Sequence, residues 1–260
     1  MNDQPGLLAP DEPSPVNVTR PGGASPFFLA CEHAGKRIPR RLGSLGLDDY
    51  HLERHIAWDI GAEAVALDLS ARLDATLVSQ TYSRLVIDCN RDPLVETSIP
   101  TISEATEIPG NKGIAAVEVQ ARADEIFHPY QERMVDHLDS RDEAGQPSVL
   151  IDVHSFTPVF HGEARPWHIG VLHNEDSRLA HILLDLMDDI PVGDNQPYEV
   201  DSVNDYTIPV HGEQRGIPHV EFEIRQDLIT LAAGQEEWAD RLESWLTKAL
   251  DRLRQDYPGF

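Results

Sequence analysis

The sequence predicts a single α/β domain, and three observations point that way. Strand-like apolar runs alternate with segments of helical periodicity, the pattern of a sheet layered with helices. Residues suited to chemistry follow several of those runs directly, where open α/β sheets gather their ligands. The chain has 260 residues, 40% hydrophobic and 25% charged, enough apolar material for one large core and too much for disorder.

The elements follow in chain order. Residues 1–25, rich in proline and small polar residues without apolar periodicity, predict a flexible or surface-draped arm, with residues 26–260 forming the domain. Pro26–Cys31 is a short apolar run ending in Glu32-His33-Ala34-Gly35. From Asp59 to Leu73, Ile60, Ala64, Val65, Leu67, Leu69 and Leu73 form a helical stripe. Ala75–Val78 and Leu85–Asp88 read as strands, and Ile114–Leu138 as one long helix. Ser148–Val153 is the strongest buried-strand signal and runs into His154. Trp167–Leu172 predicts a strand, Ser177–Met187 a helix, Val220–Ile224 a strand, and Glu236–Arg254 a closing amphipathic helix.

Composition excludes several classes. A formal net charge of -24 repels phosphate backbones, so nucleic acid is not an expected partner. Two cysteines, Cys31 and Cys89, make no disulfide framework. No apolar stretch reaches the roughly 18 residues of a membrane span and no leader opens the chain, so the expected location is cytoplasmic, away from membranes. The serine-hydrolase elbow, the phosphate-cradling loop, the dinucleotide fingerprint and the His-Glu-x-x-His helix are all missing.

What remains is a metal site built from distant segments. Among twelve histidines, His33 and His154 stand apart because each follows an apolar run. Strand alternation puts Asp152 and His154 on one side. A catalytic zinc takes about three protein ligands and keeps a position open. Asp59, before the first helical stripe, is the preferred third ligand, although aspartate there could equally be a helix N-cap. Glu32 is the rival, pointed away from its neighbour His33 by alternation. Glu223 is the candidate general base, with Arg225 two residues on as a possible partner and Glu221 on the same face. Arg84 and Arg91 flank the run Leu85–Asp88 and suit a substrate carboxylate, unless they merely pair with Asp88 or Asp92.

These residues together resemble the N-formylglutamate amidohydrolase family, related in fold to zinc carboxypeptidases and aspartoacylase-type deacylases. The matching pieces are Glu32-His33-Ala34-Gly35-Lys36-Arg37-Ile38-Pro39, Asp59-Ile60-Gly61, Ser83–Arg91, Asp152–Phe156, Asn195–Tyr198, Tyr206-Thr207 and Gly216–Asp227, spread over about residues 26–230. The resemblance implies a zinc-exopeptidase-like (phosphorylase/hydrolase-like) fold with a central mixed sheet flanked by helices. It implies Zn2+ held by His33, an acidic residue and His154, with Glu223 moving the proton. Arg84, Asn90 and Arg91 would hold the carboxylates of an N-acyl amino acid, and Asn195, Tyr198, Tyr206 and His211 would line the remaining wall. Lys36 stands where the carboxypeptidase pattern has its ligand glutamate, which brings Asp59 forward. The expected activity is metal-assisted hydrolysis of an N-acyl amide such as that of N-formyl-L-glutamate. The alternatives are a zinc amidase or carboxypeptidase acting on short peptides or cell-wall fragments, and a non-catalytic metal- or carboxylate-binding protein on the same scaffold.

Overall fold

A computed structural model of the chain describes residues 6–201 and 203–258. Its strands are β1 (Val16–Thr19), β2 (Phe27–Cys31), β3 (Thr76–Gln80), β4 (Ile102–Ser103), β5 (Thr106–Glu107), β6 (Val149–Phe156), β7 (Val159–Phe160), β8 (Glu163–Ala164), β9 (Ile169–Leu172), β10 (Val192–Asp194) and β11 (His219–Arg225). The α-helices are α1 (Asp49–Leu52), α2 (Ala62–Leu73), α3 (Ala116–Arg122), α4 (His128–Glu143), α5 (Arg178–Leu186) and α6 (Ala232–Asp256).

Seven strands form one mixed sheet in the order β1-β3-β2-β6-β11-β9-β10, as the resemblance implies. The four central strands β3, β2, β6 and β11 run parallel, while β1 and β9 join them antiparallel. Parallel strands are covered on both faces, so they read as continuous apolar runs rather than alternating ones. β2 and β6 are buried at every residue. Their side chains still divide by alternation. Leu29 and Ile151 pack under α2, α5 and α6 with Val65, Leu183 and Leu246. Phe28 and Leu150 face the opposite layer, with Tyr130 and Met134 of α4. The connection β2–α2–β3 thus covers the first face, and α3–α4 covers the second before the chain enters β6.

Three segments differ from the sequence expectation. Val16–Thr19 is not a loose arm but an edge strand registered on β3, Val16 opposite Gln80 and Thr19 opposite Leu77; residues 1–5 of that arm lie outside the described residues. Leu85–Asp88 is buried yet forms turns instead of a strand. Turn and loop contacts, not a neighbouring strand, satisfy its backbone: the Val86 N–H donates to the Ser83 carbonyl and the Asp88 N–H to that of Ser98, while Asn111 Nδ2 donates to the Leu85 carbonyl and buried Arg122 to that of Val86. The predicted helix over residues 114–138 is α3 and α4 joined by a π-helical turn at Ala123–Phe127. Pro129 has no N–H to give the preceding turn, and the wider π turn meets that loss.

Candidate active site

The carboxyl ends of β2, β6 and β11 open into one cavity of about 380 Å³. His33 lies two residues past the end of β2, His154 lies near the end of β6, and Glu223 sits beside it in register on β11. Asp59 precedes α2, and its N–H donates to the His33 carbonyl at 2.9 Å, which ties the two segments together. Asp59 is not the helix cap. Gly61 is, at φ 84°, a left-handed conformation in which an added Cβ would also meet the Ile229 carbonyl at 2.2 Å.

His33, Asp59 and His154 converge on a point. Their Nδ1 atoms stand 3.0 Å apart, and Asp59 Oδ2 lies 2.9 Å from His154 Nδ1 and 3.6 Å from His33 Nδ1. The other nitrogen of each ring faces a carboxylate. His33 Nε2 is 2.7 Å from Asp88 Oδ1, and His154 Nε2 is 3.1 Å from Asp152 Oδ1 and 3.4 Å from Glu32 Oε2. An imidazole that donates from Nε2 to a carboxylate carries a lone pair on Nδ1. His33 meets that condition through Asp88, whereas His154 Nε2 faces two carboxylates without a hydrogen bond to either; the two Nδ1 atoms and the Asp59 oxygen still crowd together in a buried place, where a proton or a metal cation between them relieves the repulsion. Zinc bonds of about 2.0–2.1 Å in a tetrahedral set place ligands about 3.4 Å apart. The three separations bracket that value, so the residues fit such an ion. Carboxylates behind ligand imidazoles are the usual device for fixing ring orientation and tautomer.

The electrostatics express the same demand for positive charge. Burial opposes charging His154, but Asp152, Asp59 and Glu32 outweigh it and hold the imidazole well above its ordinary range. Asp59 is buried too, yet His33 and His154 hold its carboxyl far below the usual carboxylate range. Glu223 goes the other way. Burial, aided by Asp59 and offset in part by His154, pushes it up to about 8, and its Oε2 has no hydrogen-bond partner among the described residues. Glu221 shares the cavity face and is raised by burial as well, but register sets it beside Asp152, one step deeper than Glu223.

Asp88 is the hub of the arginine-lined side of the cavity. Besides His33, it takes Arg84 Nη2 at 2.8 Å, Arg91 Nε at 3.4 Å and the Asn90 N–H at 2.9 Å. The pairing of both arginines with Asp88 is therefore present, and both still line the cavity. Arg91 also donates to Asn204 Oδ1 at 3.0 Å. Asn90 Oδ1 accepts from the backbone N–H groups of Tyr206 and Thr207, which holds its loop against the one beyond.

The structure brings His33, Asp59, Arg84, Asn90, Arg91, His154, Tyr198 and Glu223 to one cavity and leaves four expected residues outside it. Asn195 is a turn residue at φ 48° whose Oδ1 accepts from the His173 N–H. The Tyr206 ring packs edge-on to Phe127, 5.2 Å away, facing a separate groove. His211 is buried with Nε2 2.7 Å from Gln131 Oε1, and burial lowers its pKa to about 4. Arg225 does not partner Glu223; it donates to Asp227 at 2.8 Å. Glu32 sits on the Nε2 side of His154, behind the cluster, where Thr207 and Tyr130 donate to its Oε1. Sequence reasoning missed Asp88 and Asp152 as supports of the two imidazoles; for Asp152, its place two residues before His154 on one strand face was the available signal.

The chain matches the family model described as N-formylglutamate amidohydrolase over residues 25–230. Its fold is similar to the crystal structure of a gene product from Agrobacterium tumefaciens, at 38% identity and a TM-score of 0.93, covering 95% of this chain and 99% of that one. An N-formylglutamate amidohydrolase from Ralstonia eutropha JMP134 shares the fold at 16% identity and a TM-score of 0.71, covering 94% of this chain and 99% of that one. No curated protein matches the chain. Among the described residues, no helix is long and apolar enough to cross a membrane.

Proposed function

Because the chain belongs to the N-formylglutamate amidohydrolase family, we propose that it hydrolyses the N-acyl amide of an acidic amino acid such as N-formyl-L-glutamate, with Zn2+ held by His33, Asp59 and His154. The observation that carries this reading is the convergence of two imidazole Nδ1 atoms and a carboxylate oxygen within 3.6 Å, beside a Glu223 oxygen that has no hydrogen-bond partner among the described residues. When bound there, zinc would polarise the acyl carbonyl and acidify water.

The remaining work falls to the chain's own groups. Glu223, in register with His154, takes the proton from the attacking water and returns it to the departing amine nitrogen. Arg84 and Arg91 supply positive charge for a substrate carboxylate, and Asp88 keeps their side chains directed along the wall. Asn90 and Tyr198 complete that wall. The test is formate release from N-formyl-L-glutamate by the purified protein, before and after chelation and on adding zinc back. A panel of N-acyl glutamates and aspartates extends it to other acyl groups. The reading fails if none of these compounds is hydrolysed by the zinc-loaded protein.

A further inference from the structure

Of the arginines near the cavity, three kinds of pairing are seen. Arg84 and Arg91 share Asp88, Arg54 is bound to Glu104, and Arg225 to Asp227. Arg165 differs. It leaves the β7–β8 hairpin, its N–H closing that turn on the Pro158 carbonyl at 2.9 Å. Its guanidinium carbon stands 4.5 Å from the Phe160 ring centroid, 4.9 Å from that of Tyr198 and 5.7 Å from that of Phe156. Among the described residues its side chain has one polar partner, Tyr198 Oη, which accepts from Nη1 at 3.0 Å, and no carboxylate within ion-pair reach. In a chain with 45 acidic residues against 21 basic ones, a guanidinium left without a carboxylate beside the active site is out of keeping with its neighbours.

The three rings explain how it is held. Aromatic faces attract a guanidinium and fix its plane without neutralising it. Most of its five N–H donors therefore stay available in a fixed fork. All three rings line the catalytic cavity, and Tyr198 lies close enough to Glu223 and Arg84 to feel both charges. A pre-set, unneutralised fork at that position matches the geometry of a carboxylate, which it can take in bidentate fashion.

Building on the proposed hydrolysis, we infer that Arg165, on its platform of Phe156, Phe160 and Tyr198, binds a second carboxylate of the substrate and selects dicarboxylic over monocarboxylic N-acyl amino acids. Arg84 and Arg91 take one carboxylate, and Arg165 takes the other. Each guanidinium centre then has its own anion, and neither carboxylate approaches Glu221 or Glu223 unescorted.

The test compares N-formyl-L-glutamate with N-formyl-L-norvaline, which lacks the side-chain carboxylate, by calorimetric binding and by turnover. It uses the zinc-loaded wild type, Arg165→Gln, Arg165→Lys and Tyr198→Phe, each checked for native melting and zinc content. The wild type is expected to favour the dicarboxylate, and Arg165→Gln to reduce that preference by roughly 10- to 100-fold, mainly through Kd and KM. Arg165→Lys should restore part of it, having the charge without the fork, and Tyr198→Phe should lose a smaller part. A preference that survives Arg165→Gln, or a wild type that does not distinguish the two compounds, overturns the assignment. Binding preference with no turnover of either compound would leave Arg165 standing and remove the hydrolase reading instead.

Discussion

Replacing Glu223 by glutamine tests the burial argument and the catalytic argument in one protein. The substitution keeps the size of the side chain and removes its ionisation. In the fold the carboxyl is 6% exposed and raised from 4.5 to about 8, so the folded protein holds that proton more tightly than the unfolded chain does. The stabilising contribution is full below about pH 4.5 and is lost as the pH climbs through about 8. At about 1.4 kcal/mol per unit of pKa, the loss amounts to at most about 5 kcal/mol. Asp152, Asp205 and Glu221 are raised by burial with the same sign, and His33 and His154 are raised as well, so the wild-type profile alone does not isolate Glu223. The difference between wild type and Glu223→Gln does. Urea unfolding of the metal-free proteins at pH 5 and pH 8 should show the wild type losing about 2–5 kcal/mol more than the variant over that interval. Parallel pH profiles would refute the claim that the carboxyl is held neutral by burial. In the zinc-loaded enzyme the same variant should keep its metal and lose about 10²–10⁴ in kcat. Retained turnover would remove Glu223 from the role of base.

Three further outcomes follow from the geometry. Asp152→Asn and Asp88→Asn each loosen one imidazole from behind, and zinc competition titrations should show affinity reduced by about 10- to 100-fold in each. Gly35→Ala puts a Cβ 2.0 Å from the Thr81 carbonyl, so the loop carrying His33 must move; denaturant unfolding should report a loss of about 1–3 kcal/mol, with weaker zinc binding. Leu246→Ala, in the fully buried stripe of α6 and far from the cavity, should cost about 2–5 kcal/mol in stability while zinc content stays at the wild-type value.

Val220–Ile224 was legible because apolar residues alternate with Glu221 and Glu223, whereas Ser148–Val153 was legible because burial on both faces writes a nearly continuous apolar run. Leu85–Asp88 carries the same signature and is not a strand, since an apolar run states only that it is buried. What satisfies its Leu85 and Val86 carbonyls depended on Asn111 and Arg122, more than twenty residues away. Alternation correctly separated Glu32 from His33. It could not say that Glu32 would reach the far nitrogen of His154, because that contact is made across two strands. The same blindness applies to Asn195 and His211. Both are polar residues that the resemblance assigns to the wall of the site, and only the path of the chain reveals that one serves a turn and the other a buried pair with Gln131. Arg165 left no signal at all, because an arginine's meaning lies in which rings and carboxylates surround it.

Asp88 shows why the two halves of the site cannot be considered separately. One carboxylate oxygen meets His33 Nε2 and the Asn90 N–H, and the other meets Arg84 and Arg91. Burial would penalise this carboxylate heavily, yet Arg84 and His33 hold it well below its ordinary range, so it stays charged at every working pH. Its negative charge favours the His33 tautomer that leaves Nδ1 free for a cation. The same charge anchors the guanidinium groups of Arg84 and Arg91. Removing it would therefore weaken cation binding through His33 and substrate binding through Arg84 and Arg91 together, although Asp88 sits behind both sets of contacts. A loss confined to one of the two would mean that Asp88 only fills space beneath them.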